Sequence, residues 1–207
     1  MNILRESFEI KNAAQVCDPS FLCSFSDYNE LINKANLSYS DEYILAYVLD
    51  PNEEIGYRLE KLSIDKNITI IVLLNHLPDI WEENRKKLNL KGVGKVELKS
   101  IVDLNEWLWY FKNSKAVFTD SFHGTIFSII FKKPFITLKN NGRGGKRFIS
   151  LLEPINLLDR LFDNPECINT KYNLYEEIKY DKSYYKLKKI KNYSYSWLNS
   201  ILKKIFE

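Results

Sequence analysis

The sequence predicts an α/β protein built on a parallel sheet, and three observations predict it. Short β-branched runs alternate along the chain with segments of helical periodicity. One run, residues 68–74 (ITIIVLL), is apolar on both faces, as a strand buried in the middle of a parallel sheet must be. In residues 115–131, KAVFTDSFHGTIFSIIF, a strand passes directly into an apolar helix through a tight polar turn.

The elements follow in order. Asp18-Pro19 reads as a turn or helix start, and Ser26 and Asp27 read as caps of a short helix over 28–35. Residues 43–49 (YILAYVL) form the first strand. Asp50-Pro51-Asn52 breaks it and opens a helix to about residue 65, with Ile55, Leu59 and Leu62 on one face. The strand 68–74 comes next, then a helix over 79–89 and a short strand at 95–98. Residues 103–113 (DLNEWLWYFKN) read as a helix with Leu104, Trp107, Leu108 and Phe111 inward. After the strand 116–119 and its helix, 134–138 is a further strand, and 148–152 begins another helix.

Composition narrows the function classes. The chain has 207 residues, enough for one large domain or one domain with an appendage. Thirty basic and 27 acidic side chains leave a net charge of +3, which gives no case for nucleic acid as a partner. The three cysteines, Cys17, Cys23 and Cys167, are odd in number and form no CxxC pair. That argues against a disulfide framework or a zinc site and favours a reducing, cytoplasmic setting. The charged first residues, MNILRESFEI, do not read as a signal peptide. No run approaches the ~20 apolar residues of a membrane span.

The chemistry concentrates at the turn after strand 116–119. Asp120 and Ser121 are good N-cap residues, and His123 and Gly124 fall in the first helical turn. Free N–H groups and the positive end of a helix dipole at the carboxyl edge of a sheet make an anion site. In NNGRGGKRF, Arg143 and Arg147 follow the next strand, so their loop returns to the same edge, and Gly142, Gly144 and Gly145 allow close backbone approach. Arginine offers planar, bidentate donors to phosphate or carboxylate. A histidine that only finishes a helix cap and an arginine in a surface ion pair are the plainer readings of His123 and Arg147. His76, after strand 68–74, is either a cleft residue or a solvated loop histidine.

The order TDSFHGTIFSIIFKKPFITL, then N-x-R-G-x-x-R-F-x-S-L-L, then NLLDRLF, resembles the C-terminal half of the polysaccharide pyruvyl transferase family, and VCDPSFL resembles that family's DP-[ST]-x-L segment. The resemblance spans residues 14–163. It implies one Rossmann-like lobe of a GT-B-type fold, with flanking helices and a C-terminal helical extension. Three regions follow: a lead-in at 1–40 from the domain junction, a donor-binding domain at 41–165, and a basic amphipathic tail at 166–207. The family's first lobe is not matched. The implied reaction transfers pyruvate from phosphoenolpyruvate to sugar hydroxyls as a ketal, in cell-surface polysaccharide synthesis, with no cofactor and no metal.

On that reading His123 is the catalytic residue, and Ser121, Phe122, Gly124, Arg143 and Arg147 bind substrate, with Asp120, His76 and Asn140 as further candidates. Ser128 reads as helix packing, and Arg160 as a structural ion pair with Asp159 or Asp163. The implied partners are phosphoenolpyruvate, a glycan or lipid-linked sugar acceptor, and a partner lobe or second copy. From Lys179 onward, eight lysines face only Asp181 and Glu207, and Leu187, Ile190, Trp197, Ile201 and Ile205 share a helical face. That helix either packs back on the domain or lies on the inner membrane through 182–206. Two other readings fit the same residues: a split, partner-dependent lobe without activity of its own, and the nucleotide-binding lobe of a sugar-nucleotide glycosyltransferase.

Overall fold

The structure is a computed structural model that describes residues 14–74, 78–100, 102–169 and 174–206. Six parallel strands form one sheet: β1 (Tyr43–Val48), β2 (Thr69–Leu74), β3 (Val96–Lys99), β4 (Ala116–Thr119), β5 (Phe135–Leu138) and β6 (Leu161–Phe162), in the order β3-β2-β1-β4-β5-β6. Chain order therefore reverses between β1 and β4. At such a switch point the loops leaving two neighbouring strands diverge and open a crevice at the carboxyl edge.

Burial explains why the strands read as continuous apolar runs. Residues alternate between two cores. Tyr43, Leu45, Ile71, Leu73, Val117 and Phe135 fill one. Ile44, Ala46, Ile70, Val72, Phe118 and Ile136 fill the other. Helices cover both faces, so neither parity of the strand can be polar. On the second face lie α2 (Glu53–Lys66) and α3 (Pro78–Leu88), through Ile55, Leu59 and Leu88. On the first lie α1 (Phe25–Ile32), α4 (Leu104–Asn113), α5 (Phe122–Ile130), α6 (Lys146–Leu152) and the long α7 (Tyr180–Phe206). Asn52 caps α2, its side chain accepting from the Ile55 N–H at 3.0 Å.

Three details differ from the sequence expectation. Helix α1 starts at Phe25, and Ser24 is its cap: Ser24 accepts from the Asp27 N–H while Asp27 accepts from the Ser24 N–H. Ser26 and Asp27 thus lie inside the first turn, because the reciprocal pair satisfies two N–H groups where a cap two residues later would satisfy one. Leu104 is 60% exposed rather than inward, since it is the first residue of α4 and precedes the stretch that meets the sheet. The two-residue β6 was not foreseen; it is too short to carry a periodic pattern and is defined by its pairing with Thr137 and Leu138.

Among the described residues no helix is long and apolar enough to cross a membrane, and no group of three or more His, Cys, Asp or Glu is placed to hold a metal ion. The three cysteines are free thiols; burial pushes the Cys167 thiol up to about 12.

Candidate functional site at the switch point

The turn from β4 into α5 is built by short polar side chains. The Thr119 hydroxyl donates to the Tyr47 carbonyl at 2.7 Å and accepts from the Ser121 N–H at 3.0 Å, which ties the end of β4 to β1. Ser121 caps α5, its Oγ accepting from the Gly124 N–H at 3.2 Å. Thr125 donates to the Ser121 carbonyl and shares a 2.9 Å hydrogen bond with Thr137 on β5. Gly124 is required for packing: a Cβ there would lie 2.3 Å from Thr119 Oγ1. Its N–H is engaged by the cap. The N–H groups of Phe122 and His123, at the first two helical positions, are the ones with no carbonyl of their own helix to meet.

His123 is the exposed member of the turn, with 59% of its side chain accessible. Its Nε2 lies 3.8 Å from Asp18 Oδ2. Asp18 itself caps a short 3-10 turn, Pro19–Phe21, by accepting from the Ser20 N–H at 2.9 Å. Phe122 stands beside His123 and carries the Arg147 guanidinium over its ring, 4.8 Å from the centroid. A cleft of about 660 Å³ lies beside this turn, with Asp18, Phe21, Phe122, Arg147, Leu187 and Lys189 in its walls and His123 outside them.

A second group sits across the switch point. Asp120 is buried, and its carboxylate accepts from the N–H groups of Leu49 and Asp50, at 2.7 and 2.9 Å, at the end of β1. Desolvation pushes its pKa up to about 6, against the pull of those two hydrogen bonds. Asp120 therefore neither caps α5 nor touches His123; it joins the loop after β4 to the loop after β1. Asp50 takes Arg143 in a bidentate pair, with Nε and Nη2 both at 2.8 Å, and also accepts from Asn140. The guanidinium holds the Asp50 carboxyl below its usual range. The Asn140 side chain accepts from the Arg143 N–H at 3.1 Å, which folds the loop after β5. The two groups are joined where Arg147 donates to the Arg143 carbonyl at 2.6 Å.

Ser121, Phe122, His123, Gly124 and Arg147 thus meet on one side of the switch point, and Asp120, Asn140 and Arg143 on the other. His76 lies outside the described residues. Ser128 donates to the Gly124 carbonyl inside α5, and the nearly buried Arg160 pairs with Asp159 and Glu176, so both serve packing. Asp50 is the residue that sequence reading missed. In the sequence it reads only as a strand breaker, and the one available signal is its place as a carboxylate just after a buried strand.

Fold and geometry together make this an α/β domain with a polar strand-to-helix turn at the switch point of its sheet. The chain belongs to the polysaccharide pyruvyl transferase family, whose family model matches residues 2–142. The match includes Asp18, Asp50 and the Ser121–Gly124 turn and ends one residue before Arg143. No curated protein matches the chain. Among solved structures it is similar to the UDP-GlcNAc 2-epimerase from Methanocaldococcus jannaschii, at 20% identity and TM-score 0.46, covering 93% of this chain and 59% of that one. It is also similar to the S. aureus MnaA–UDP co-structure, at 18% identity and TM-score 0.48, covering 89% of this chain and 51% of that one. The chain therefore spans between half and three-fifths of the length of those two proteins.

Proposed function

We propose that this chain binds phosphoenolpyruvate at the start of α5 and takes part in transferring its pyruvyl group to sugar hydroxyls as a ketal, in cell-surface polysaccharide synthesis. The observation that carries the reading is spatial: the two segments that resemble the family, DPSFL and SFHG, are far apart in sequence and meet where Asp18 faces His123. The donor brings a phosphate and a carboxylate, and both need cationic or N–H donors. The α5 N-terminus and His123 supply them, and Arg147, held over the Phe122 ring, adds a guanidinium beside them.

The reaction needs a proton delivered to the methylene carbon, which leaves positive character at C2. One sugar hydroxyl adds there, the C–O bond to phosphate breaks, and a second hydroxyl closes the ketal. Of the two hydroxyl protons, one balances the new methyl group and the other leaves with phosphate. His123 is the group of this turn that carries the proton to the substrate, and Asp18, 3.8 Å from its Nε2, orients it. Arg143 becomes a clamp for the anion once it leaves Asp50.

Calorimetric titration of the chain with phosphoenolpyruvate, with UDP-sugars as controls, tests the reading. Saturable binding of phosphoenolpyruvate alone is expected, and His123→Ala is expected to weaken it by about 1.5–3 kcal/mol, the worth of a hydrogen bond to a charged group. Saturable binding of a UDP-sugar instead would overturn it.

A further inference from the structure

Helix α7 is two different helices in its surroundings. Its first half is domain structure: Tyr180, Ser183, Leu187 and Ser194 are buried, and Ser194 accepts from the Cys17 N–H at 2.9 Å. Beyond Tyr195, which donates to the Leu22 carbonyl, the helix leaves the domain while its apolar face continues. Leu187 is 5% exposed, whereas Leu198, Leu202 and Ile205, at helical spacing on the same side, are 36%, 41% and 65% exposed. Trp197 and Ile201 flank them, half-buried. A face that continues past its own core is a face with a partner elsewhere.

Charge selects the partner. The helix holds seven lysines and one carboxylate, Asp181. Among the described residues none of the seven is within ion-pair distance of a carboxylate. Lys203 and Lys204 sit in the last turn, beside the exposed apolar residues. Tyr185, Tyr193 and Tyr195 are exposed along the same helix. In the half beyond Tyr195, Leu198, Leu202 and Ile205 on one side, Trp197 at their flank, and Lys203 and Lys204 beside them are what an interface of acyl chains and anionic headgroups accommodates.

We infer that the C-terminal half of α7 is a docking surface for an anionic phospholipid bilayer, lying in the headgroup plane with Leu198, Leu202 and Ile205 turned into it. Trp197 enters the interface with them. The domain is thereby held at the membrane with α7 as its footing. The inference rests on α7 alone and stands whatever reaction the switch-point site performs.

Flotation of the full chain with vesicles of mixed phosphatidylglycerol and phosphatidylcholine tests it, read together with tryptophan fluorescence. Binding and a blue shift are expected with the anionic vesicles, and loss of both in high salt or with pure phosphatidylcholine. Leu202→Asp with Ile205→Asp is expected to abolish binding. Each of Lys203→Gln and Lys204→Gln is expected to weaken it about five-fold. These side chains are exposed, so thermal unfolding of the variants should match the parent. Absence of binding by the parent, or binding that survives the double Asp variant, would overturn the inference. So would a dimer in sedimentation that the same Asp substitutions dissociate, because a second copy would then cover the face.

Discussion

Single residues decide the geometry of the switch point, and Asp120 is the one with the most riding on it. Its folded-state pKa of about 6 lies above the ordinary 3.8, so the folded protein takes up this proton first as pH falls. Burying the charge costs stability above pH 6, and that cost is relieved between about pH 6 and pH 4. Asp120→Asn removes the cost of the buried charge near pH 7 but leaves one of the two backbone N–H groups unpaired, at about 1–3 kcal/mol, and should flatten the gain in stability between pH 7 and pH 5. Thermal melts of both proteins at the two pH values check this; an unchanged pH response in the variant would assign the titration to another group.

Asp50 sets a second residue-scale expectation. Its carboxylate engages the Nε and Nη2 donors of Arg143, so an incoming anion competes with it for that edge of the guanidinium. Asp50→Asn should therefore raise the affinity for phosphoenolpyruvate, and Arg143→Ala should lower it, both read by calorimetry. Asp50 and Arg143 are 93 positions apart. Nothing in the local pattern of Leu49-Asp50-Pro51 separates a functional carboxylate from a turn former, which is why this pair was not legible in sequence.

At the scale of elements, the seating of α5 on β4 is what aims the site. Gly124→Ala should destabilise the fold by about 1–3 kcal/mol in chemical denaturation, as overpacking does. The added methyl meets Thr119, whose hydroxyl is already tied to Tyr47 and Ser121 and cannot retreat. Ser121→Ala removes the cap and should cost about 0.5–2 kcal/mol. These two positions were legible, because a strand, a cap and an apolar helix in direct succession leave one way for the chain to turn. The start of α1 was less so. Ser24, Ser26 and Asp27 are all acceptable caps, and Ser24 takes the place through its reciprocal pair with Asp27, while Tyr28 seats the helix against Phe127 and Phe131.

For the whole molecule, α7 divides what holds the fold from what extends beyond it. Truncation after Leu198 should leave the melting temperature close to that of the parent, since the residues removed are largely exposed. Truncation before Tyr180 should unfold the domain or lower its melting temperature sharply, because Tyr180 and Leu187 belong to the core on that face of the sheet. Circular dichroism melts of the two shortened chains distinguish these outcomes. The alternation of strands and helices, the parallel sheet, the apolar strands and the helix-terminus turn at Ser121–Gly124 were all present in local pattern. Period, cap and breaker are properties of neighbouring residues, and a chain of these residues can satisfy its backbone and bury its apolar side chains in few other ways. Which residues meet across the switch point was not local. Asp18 reaches His123, Asp50 reaches Arg143, and Asp120 reaches the loop after β1 only because the sheet order places β1 beside β4. The same tertiary packing buries one half of α7 and leaves the other half of an unbroken amphipathic pattern without cover, since burial depends on where the domain ends in space and not on the order of residues along the helix.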